Sequence, residues 1–158
     1  MTGGRSALIM RLDAGEADAL RTLLGEMQAL LGATELGATE PRDEVIRRLF
    51  PRAYQSPEEE NAYRELVGDA LRQEKEANLK IVAEGLRRAG ERDVIISPRE
   101  VGAWLAVLTD MRLAIGTRLE VTEESMAEAE PHGPEAPAYR VLHWLGWLQE
   151  SILRQMGA

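Results

Sequence analysis

A strongly apolar segment, Ser97 to Leu119, constrains the fold more than any other part of this sequence. It starts like a helix, because Ser97 can cap it, Pro98 suits the first helical position and Glu100 has the spacing of a capping box. At about 100° per residue, one face collects apolar side chains: Val101, Trp104, Leu105, Leu108, Met111, Ile115 and Leu119. The segment is predicted to be the central helix of a helical domain, with the other helices packed around it.

Four further helices are predicted as its packing partners. In the first, Asp13 and Glu16 have capping-box spacing, and Gly32 is predicted to end it. Its apolar stripe consists of Ala17, Leu20, Leu23, Leu24, Met27, Leu30 and Leu31. The others are a short helix from Arg42 to Phe50, the longest from Pro57 to Ala89 with Gly90 as its end, and a last one from Ala138 to Met156.

Two short apolar runs, Ala7 to Leu12 and Asp93 to Ile96, have the composition of strands. They are predicted to pair as a two-stranded ribbon packed on the helices, since such a ribbon is not stable alone. The predicted fold class is therefore mainly all-α: an orthogonal bundle of about five helices with a small β ribbon. Residues 1–158 are predicted to form a single domain, with a mobile linker at 32–41 and an acidic loop at 120–137.

Composition narrows the classes of function. A chain of 158 residues with 44% hydrophobic and 29% charged residues is typical of one soluble globular domain. The net charge of −8 disfavours direct nucleic-acid binding, and the one dense basic group, Arg47, Arg48 and Arg52, is small. No signal-peptide-like or membrane-spanning apolar run is present, so a cytoplasmic protein without membrane association is expected.

Four polar residues fall on otherwise apolar helix faces: Glu74, Asn78, Arg112 and Gln149. Because an unpaired buried charge is costly, Arg112 is predicted to pair with Glu74, supported by the two amides. The simplest interpretation is a buried polar cluster that determines helix register. The alternative is that the cluster lines a ligand pocket in the core of the bundle.

Trp144 and Trp147 lie one turn apart on the last helix, away from its main apolar stripe. That stripe is predicted to consist of Ala138, Val141, Leu142, Leu145, Leu148, Ile152, Leu153 and Met156. Either the two tryptophans are buried by a second layer, or they form a partner-binding surface, for which tryptophan is a favoured anchor. Trp144 and Trp147 are the partner-binding residues that the sequence predicts.

No motif indicates an enzyme, and no catalytic or cofactor-binding residue is predicted. The chain lacks phosphate-binding glycine loops, HExxH helices and nucleophile elbows. Its two histidines, His132 and His143, form no metal-ligand pattern, and the absence of cysteine excludes thiolate chemistry and disulfides. We therefore expect a protein without enzymatic activity, metal or cofactor.

Four blocks of the sequence together resemble a known family: RRLFPRAY (47–54), KEANLKIV (75–82), WLAVLTDMRLAIGTRLEV (104–121) and YRVLHWLGWLQESILRQM (139–156). The chain resembles an actinobacterial domain-of-unknown-function family, often encoded beside the adaptor of the Clp protease. Some members are called actinobacterial oxidative-stress regulators. The resemblance implies a transcriptional regulator that binds a stress sigma factor. The redox sensing proposed for the family uses a pair of cysteines, and this chain has none.

The function predicted from the sequence is a protein-binding regulatory module in transcription or the stress response, possessing no cysteine-based redox sensing. The predicted contact surface is the last helix around Trp144 and Trp147, with the acidic loop guiding a basic partner. A homodimer through the same face is an open alternative. So are a ligand-binding bundle that uses the polar cluster, a purely structural protein, and DNA binding through Arg47, Arg48 and Arg52.

Overall fold

A computed structural model describes residues 7–33, 44–49, 69–90, 92–119 and 133–157 of the chain. In chain order, its elements are β1 (Leu8–Met10), α1 (Ala14–Ala33), α2 (Glu44–Leu49), α3 (Asp69–Ala89), β2 (Val94–Ile96), α4 (Val101–Leu119) and α5 (Ala136–Gly157). The predicted mainly helical class is confirmed. Within these ranges, four helices are long enough to build the bundle, slightly fewer than the five predicted, and α2 is a six-residue helix.

Helix α4 is the central element, as predicted for the segment from Ser97 to Leu119. It packs against α1, α2, α3 and α5. Its buried side chains lie on more than one face: Val101, Ala103, Trp104, Val107, Leu108, Met111 and Ala114. The prediction of a single buried stripe is therefore incomplete, because a helix enclosed by partners on several sides is apolar around most of its circumference.

The predicted helix starts are formed by side-chain caps. At α1 the capping box is reciprocal: the Glu16 N–H donates to Asp13 Oδ1 at 2.8 Å, and the Asp13 N–H donates to Glu16 Oε1 at 3.0 Å. Before α4, Glu100 Oε1 accepts from the Ser97 N–H at 3.1 Å and from Ser97 Oγ at 2.9 Å. The predicted end of α1 at Gly32 is wrong, because the helix continues to Ala33.

The predicted ribbon is confirmed. Strands β1 and β2 are antiparallel, with Ile9 opposite Ile95 at the centre of the register. Their neighbours point into the core, since Leu8, Met10, Val94 and Ile96 are all buried. Alternation along each strand therefore places Ile9 and Ile95 on the outer face, where they are 50% and 65% exposed.

Helix α3 packs against α1 and α4, and its buried side chains include Leu79, Val82 and Leu86. Gly85 is also buried, and the indole of Trp104 lies so close that a Cβ at position 85 would stand 2.9 Å from Trp104 Cζ2. Only glycine permits this approach of the two helices. The helix ends at the predicted glycine, because Gly90 has a positive φ of 58° and donates to the carbonyl of Leu86 at 3.2 Å.

Several predictions fall partly or wholly outside the described residues: the linker at 32–41 beyond residue 33, the long helix before residue 69, and the acidic loop at 120–137 before residue 133. The last helix begins at Ala136, two residues before its predicted start. No helix in the described part of the chain has the length and apolar character that crossing a membrane requires.

Candidate functional site

The predicted polar cluster is formed in part, at the contact between α4 and α5. Arg112 Nη1 donates to Gln149 Oε1 at 2.8 Å. The amide nitrogen of Gln149 in turn donates to Thr109 Oγ1 at 2.6 Å and to the carbonyl of Leu105 at 3.2 Å. One glutamine thus connects a guanidinium, a hydroxyl and a backbone carbonyl of the neighbouring helix, and all of the amide's polar atoms are used.

The predicted pairing of Arg112 with Glu74 is wrong. Glu74 is exposed, Asn78 is partly buried, and neither side chain makes a hydrogen bond to another described residue. The charged contact between α3 and α4 is instead that of Lys75 Nζ with Asp110 Oδ2 at 3.0 Å, with 16% and 17% of the two side chains exposed. Adjacent residues of a helix point in directions about 100° apart around its axis. Glu74 and Lys75 therefore face different ways, and Lys75 is the one that contacts α4.

Two buried side-chain donors, one on α4 and one on α5, lack an acceptor among the described residues. They are Nε of Arg112 and Nε1 of Trp144. The guanidinium lies against Gly146, where a Cβ would stand 3.4 Å from Arg112 Cζ. A buried donor without an acceptor destabilises the fold. Gln149 is therefore important for Arg112, because it accepts the hydrogen bond from Nη1.

Replacing Gln149 with methionine is expected to lower the free energy of unfolding by about 1–3 kcal/mol, since it removes the acceptor of Arg112 Nη1. The double variant Arg112→Met plus Gln149→Met removes both polar groups and is expected to cost less than the sum of the two single changes. Urea denaturation of the four proteins measures this coupling. Additive costs, equal within about 0.5 kcal/mol, would show that the two side chains do not stabilise each other.

The two tryptophans of the predicted partner surface occupy different environments. Trp144 is partly buried and packs against the apolar core, whereas Trp147 is 53% exposed. Leu153, predicted to be buried in the stripe of α5, is also 53% exposed. The prediction for Leu153 is therefore wrong, and the large exposed apolar side chains of α5 are Trp147 and Leu153.

A depression of about 440 Å³ lies between Trp147 and Leu153. Its remaining lining consists of Arg112, His143, Gly146, Gln149 and Glu150. We call Trp147, Leu153 and this lining the α5 face. The face joins two exposed apolar side chains to Arg112 and to two further ionisable groups, which is the combination of an apolar anchor and a polar surround found at protein interfaces.

The two histidines and the one dense basic group are the remaining candidates that the sequence offers for metal and nucleic-acid binding. The described residues contain no group of three or more histidine, cysteine or acidic side chains placed to hold a metal ion. His143 lies on the α5 face, and His132 lies outside the described ranges. Of the basic group Arg47, Arg48 and Arg52, the side chain of Arg48 alone is described, and it is exposed.

Comparison with known proteins identifies two similarities. The family described as "Domain of unknown function (DUF2017)" matches residues 1–156. A curated protein of Mycobacterium leprae (strain TN), named "Putative oxidative stress regulator AosR", is 25% identical over 144 residues. That match covers 82% of this chain and 66% of the relative, so the chain spans slightly less than two thirds of the relative's length. No solved structure matches the chain.

Proposed function

The chain belongs to the DUF2017 family, and from this premise and the geometry of the α5 face we propose that it is a non-enzymatic, protein-binding regulator of the stress response. The observation that carries the proposal is the exposed Trp147 on a well-packed helix, with Leu153 across the same depression. Tryptophan is enriched among the residues that dominate binding energy at protein interfaces.

The packing of α5 supports a preformed binding surface. Its opposite side is held in the core by Leu142, Leu145, Leu148 and Ile152, all buried. Arg112 is oriented by Gln149 at the base of the α5 face. A surface whose backbone is already ordered pays a smaller entropic cost when it binds a partner.

The name of the relative supports a regulatory role. The Mycobacterium leprae protein is named as a regulator of oxidative stress. For this chain we propose the same broad process, with a sigma factor as the partner. Sensing in this chain cannot use a thiol, because its sequence contains no cysteine.

Binding to purified sigma factors of the source organism, measured by biolayer interferometry, tests this proposal. At least one sigma factor is expected to bind the wild-type chain. The double variant Trp147→Ala plus Leu153→Ala is expected to weaken that binding by about 30-fold or more, because a central tryptophan contributes about 2 kcal/mol or more at many interfaces.

A matched control is the variant Ile95→Ala, which removes exposed apolar surface from the ribbon at a position that does not line the depressions beside Trp147. Its affinity for the sigma factor should equal that of the wild type. Equal binding by the α5 double variant would reject the α5 face as the contact surface. Binding of none of the sigma factors would reject the proposed partner.

A further inference from the structure

The large apolar side chains that stay exposed in the described part of the chain lie in two places only, the ribbon and α5. They are Ile9, Ile95, Trp147 and Leu153. Trp147 lines the depression of about 440 Å³ that contains Leu153, and it also lines a second one of about 290 Å³ that contains Ile9. The exposed apolar surface therefore continues from Leu153 across Trp147 to Ile9. Joined apolar surface of this kind marks an interaction site.

The shape of this surface suits contact with a copy of itself. Trp147 is 53% exposed and stands between the two depressions, since it lines both. When two such surfaces face each other, a depression of each copy can receive the tryptophan of the other. This reciprocity is what an isologous contact between two copies related by a twofold axis requires.

The charges of the α5 face are self-complementary as well. The larger depression is lined by the guanidinium of Arg112 and the carboxylate of Glu150. The two groups form no ion pair with each other, and neither forms one with another described residue. In a twofold pair, the Arg112 of each copy can meet the Glu150 of the other, because the symmetry presents opposite charges to each other. Two charges that are unpaired in one copy thus become two ion pairs in the dimer.

Arg112 is already oriented for this contact. Its Nη1 donates to Gln149 Oε1 at 2.8 Å, whereas Nη2 donates to no described residue. Gly146 has no side chain to cover the guanidinium, and a Cβ at that position would stand 3.4 Å from Nη2. A guanidinium that is held in place loses little side-chain freedom when it forms a charge-assisted hydrogen bond to a carboxylate.

We propose that the α5 face binds a second copy of this chain in a twofold dimer, with Trp147 near the axis and Arg112 of each copy paired with Glu150 of the other. The contact continues into the second depression, toward Ile9. The regulatory consequence rests on the proposed function. Because the sigma factor is proposed to bind the same face, the dimer covers the surface that this partner needs, and only the monomer binds it.

A second copy fits this face better than a foreign protein does. A foreign protein must present a hollow for Trp147 together with a carboxylate and a cation that match Arg112 and Glu150 in position. A second copy presents all three by symmetry. The net charge of −8 on each copy opposes association, so we expect a weak, reversible dimer with a Kd of about 10–100 µM.

Sedimentation velocity of the full chain, from about 5 to 500 µM so that the range spans the expected Kd, tests the proposal. The sedimentation coefficient is expected to rise with concentration toward that of a dimer. Trp147→Ala should remain monomeric over the range, because the variant removes the projecting side chain from both copies. A wild-type chain that stays monomeric throughout would overturn the proposal.

The variant Glu150→Arg tests the ion pairs. It places two cations opposite each other on both sides of the axis and should raise the dimer Kd about tenfold or more. Glu26→Arg is the matched control, because Glu26 is an exposed residue of α1 that lines neither depression. Each change replaces one negative charge with one positive charge, so both variants have the same net charge. Equal Kd values for the two variants would contradict the pairing of Arg112 with Glu150.

Cross-linking tests the symmetry, and the absence of native cysteine makes single-site labelling possible. His143 is exposed and lines the larger depression, one turn before Trp147 on α5. His143→Cys, treated with a short bis-maleimide, is therefore expected to give a covalent dimer. Glu26→Cys is the control and should stay monomeric under the same conditions. Equal yields of covalent dimer from the two variants would reject the α5 face as the dimer contact.

Self-association and sigma-factor binding fail separately. A chain that dimerises through the α5 face but binds no sigma factor supports the inference and rejects the proposed partner. A chain that binds a sigma factor yet stays monomeric overturns the inference and leaves the proposed function intact. If both occur, added sigma factor should separate the dimer into complexes that each contain one copy of the chain. A complex that retains both copies would overturn the competition for one face.

Discussion

Replacing Trp104 with alanine is expected to lower the free energy of unfolding by about 3–5 kcal/mol. The side chain is 1% exposed and belongs to the core of the domain. Its indole also contacts Gly85 closely, so the neighbouring backbone of α3 has no side chain that could fill the cavity. For a chain of this size the melting temperature should fall by roughly 6–20 °C.

Differential scanning calorimetry measures this effect, and Trp147→Ala is the matched control. Trp147 is the same residue type on a neighbouring helix but is 53% exposed, so its loss should cost less than about 1 kcal/mol. Equal destabilisation by the two variants would contradict the position of Trp104 at the centre of the fold.

The second large effect is expected from adding a single methyl group at Gly85. A Cβ there would lie 2.9 Å from Trp104 Cζ2, inside van der Waals contact, and the buried indole has no solvent space to move into. The clash should exceed the gain in helix propensity, which is about 1 kcal/mol for glycine to alanine. We expect Gly85→Ala to destabilise the chain by about 1–3 kcal/mol.

Gly25→Ala provides the matched comparison for that variant. Gly25 lies in α1 and is exposed, and a Cβ added there would meet no described atom within 4 Å. The same chemical change should therefore stabilise the chain by about 0.4–1 kcal/mol. Thermal denaturation measures the melting temperatures of the two variants. A change of the same sign in both would contradict the close approach of Gly85 on α3 to Trp104 on α4.

Local patterns predicted the elements whose signals are confined to a few neighbouring residues. The cap at Asp13 and Glu16, the cap at Ser97 and Glu100, and the end of α3 at Gly90 depend on contacts between residues close in sequence. The pairing of the two β-prone runs was also predicted, because neither could be stable without the other.

The candidate site was predicted only in part, because its geometry depends on helix rotation. Gln149 does meet Arg112, since both are polar residues on strongly apolar helices and have few alternative partners. On α3 the buried face is the one that carries Leu79, Val82 and Leu86, and Glu74 does not lie on it. The sequence predicts that Glu74 contacts α4, whereas it is the neighbouring Lys75 that contacts Asp110.

The sequence by itself determined the helical class, the central position of α4, the caps and the partnership of the two strands, because each follows from periodicity or from contacts between near neighbours. Tertiary structure alone decided that Trp147 is exposed while Trp144 packs against the core. It also decided that Gln155 of α5 hydrogen-bonds to both backbone groups of Ile9. The reason is physical: these properties depend on how helices far apart in sequence rotate and pack against one another, and a one-residue change of phase turns a helix by about 100°.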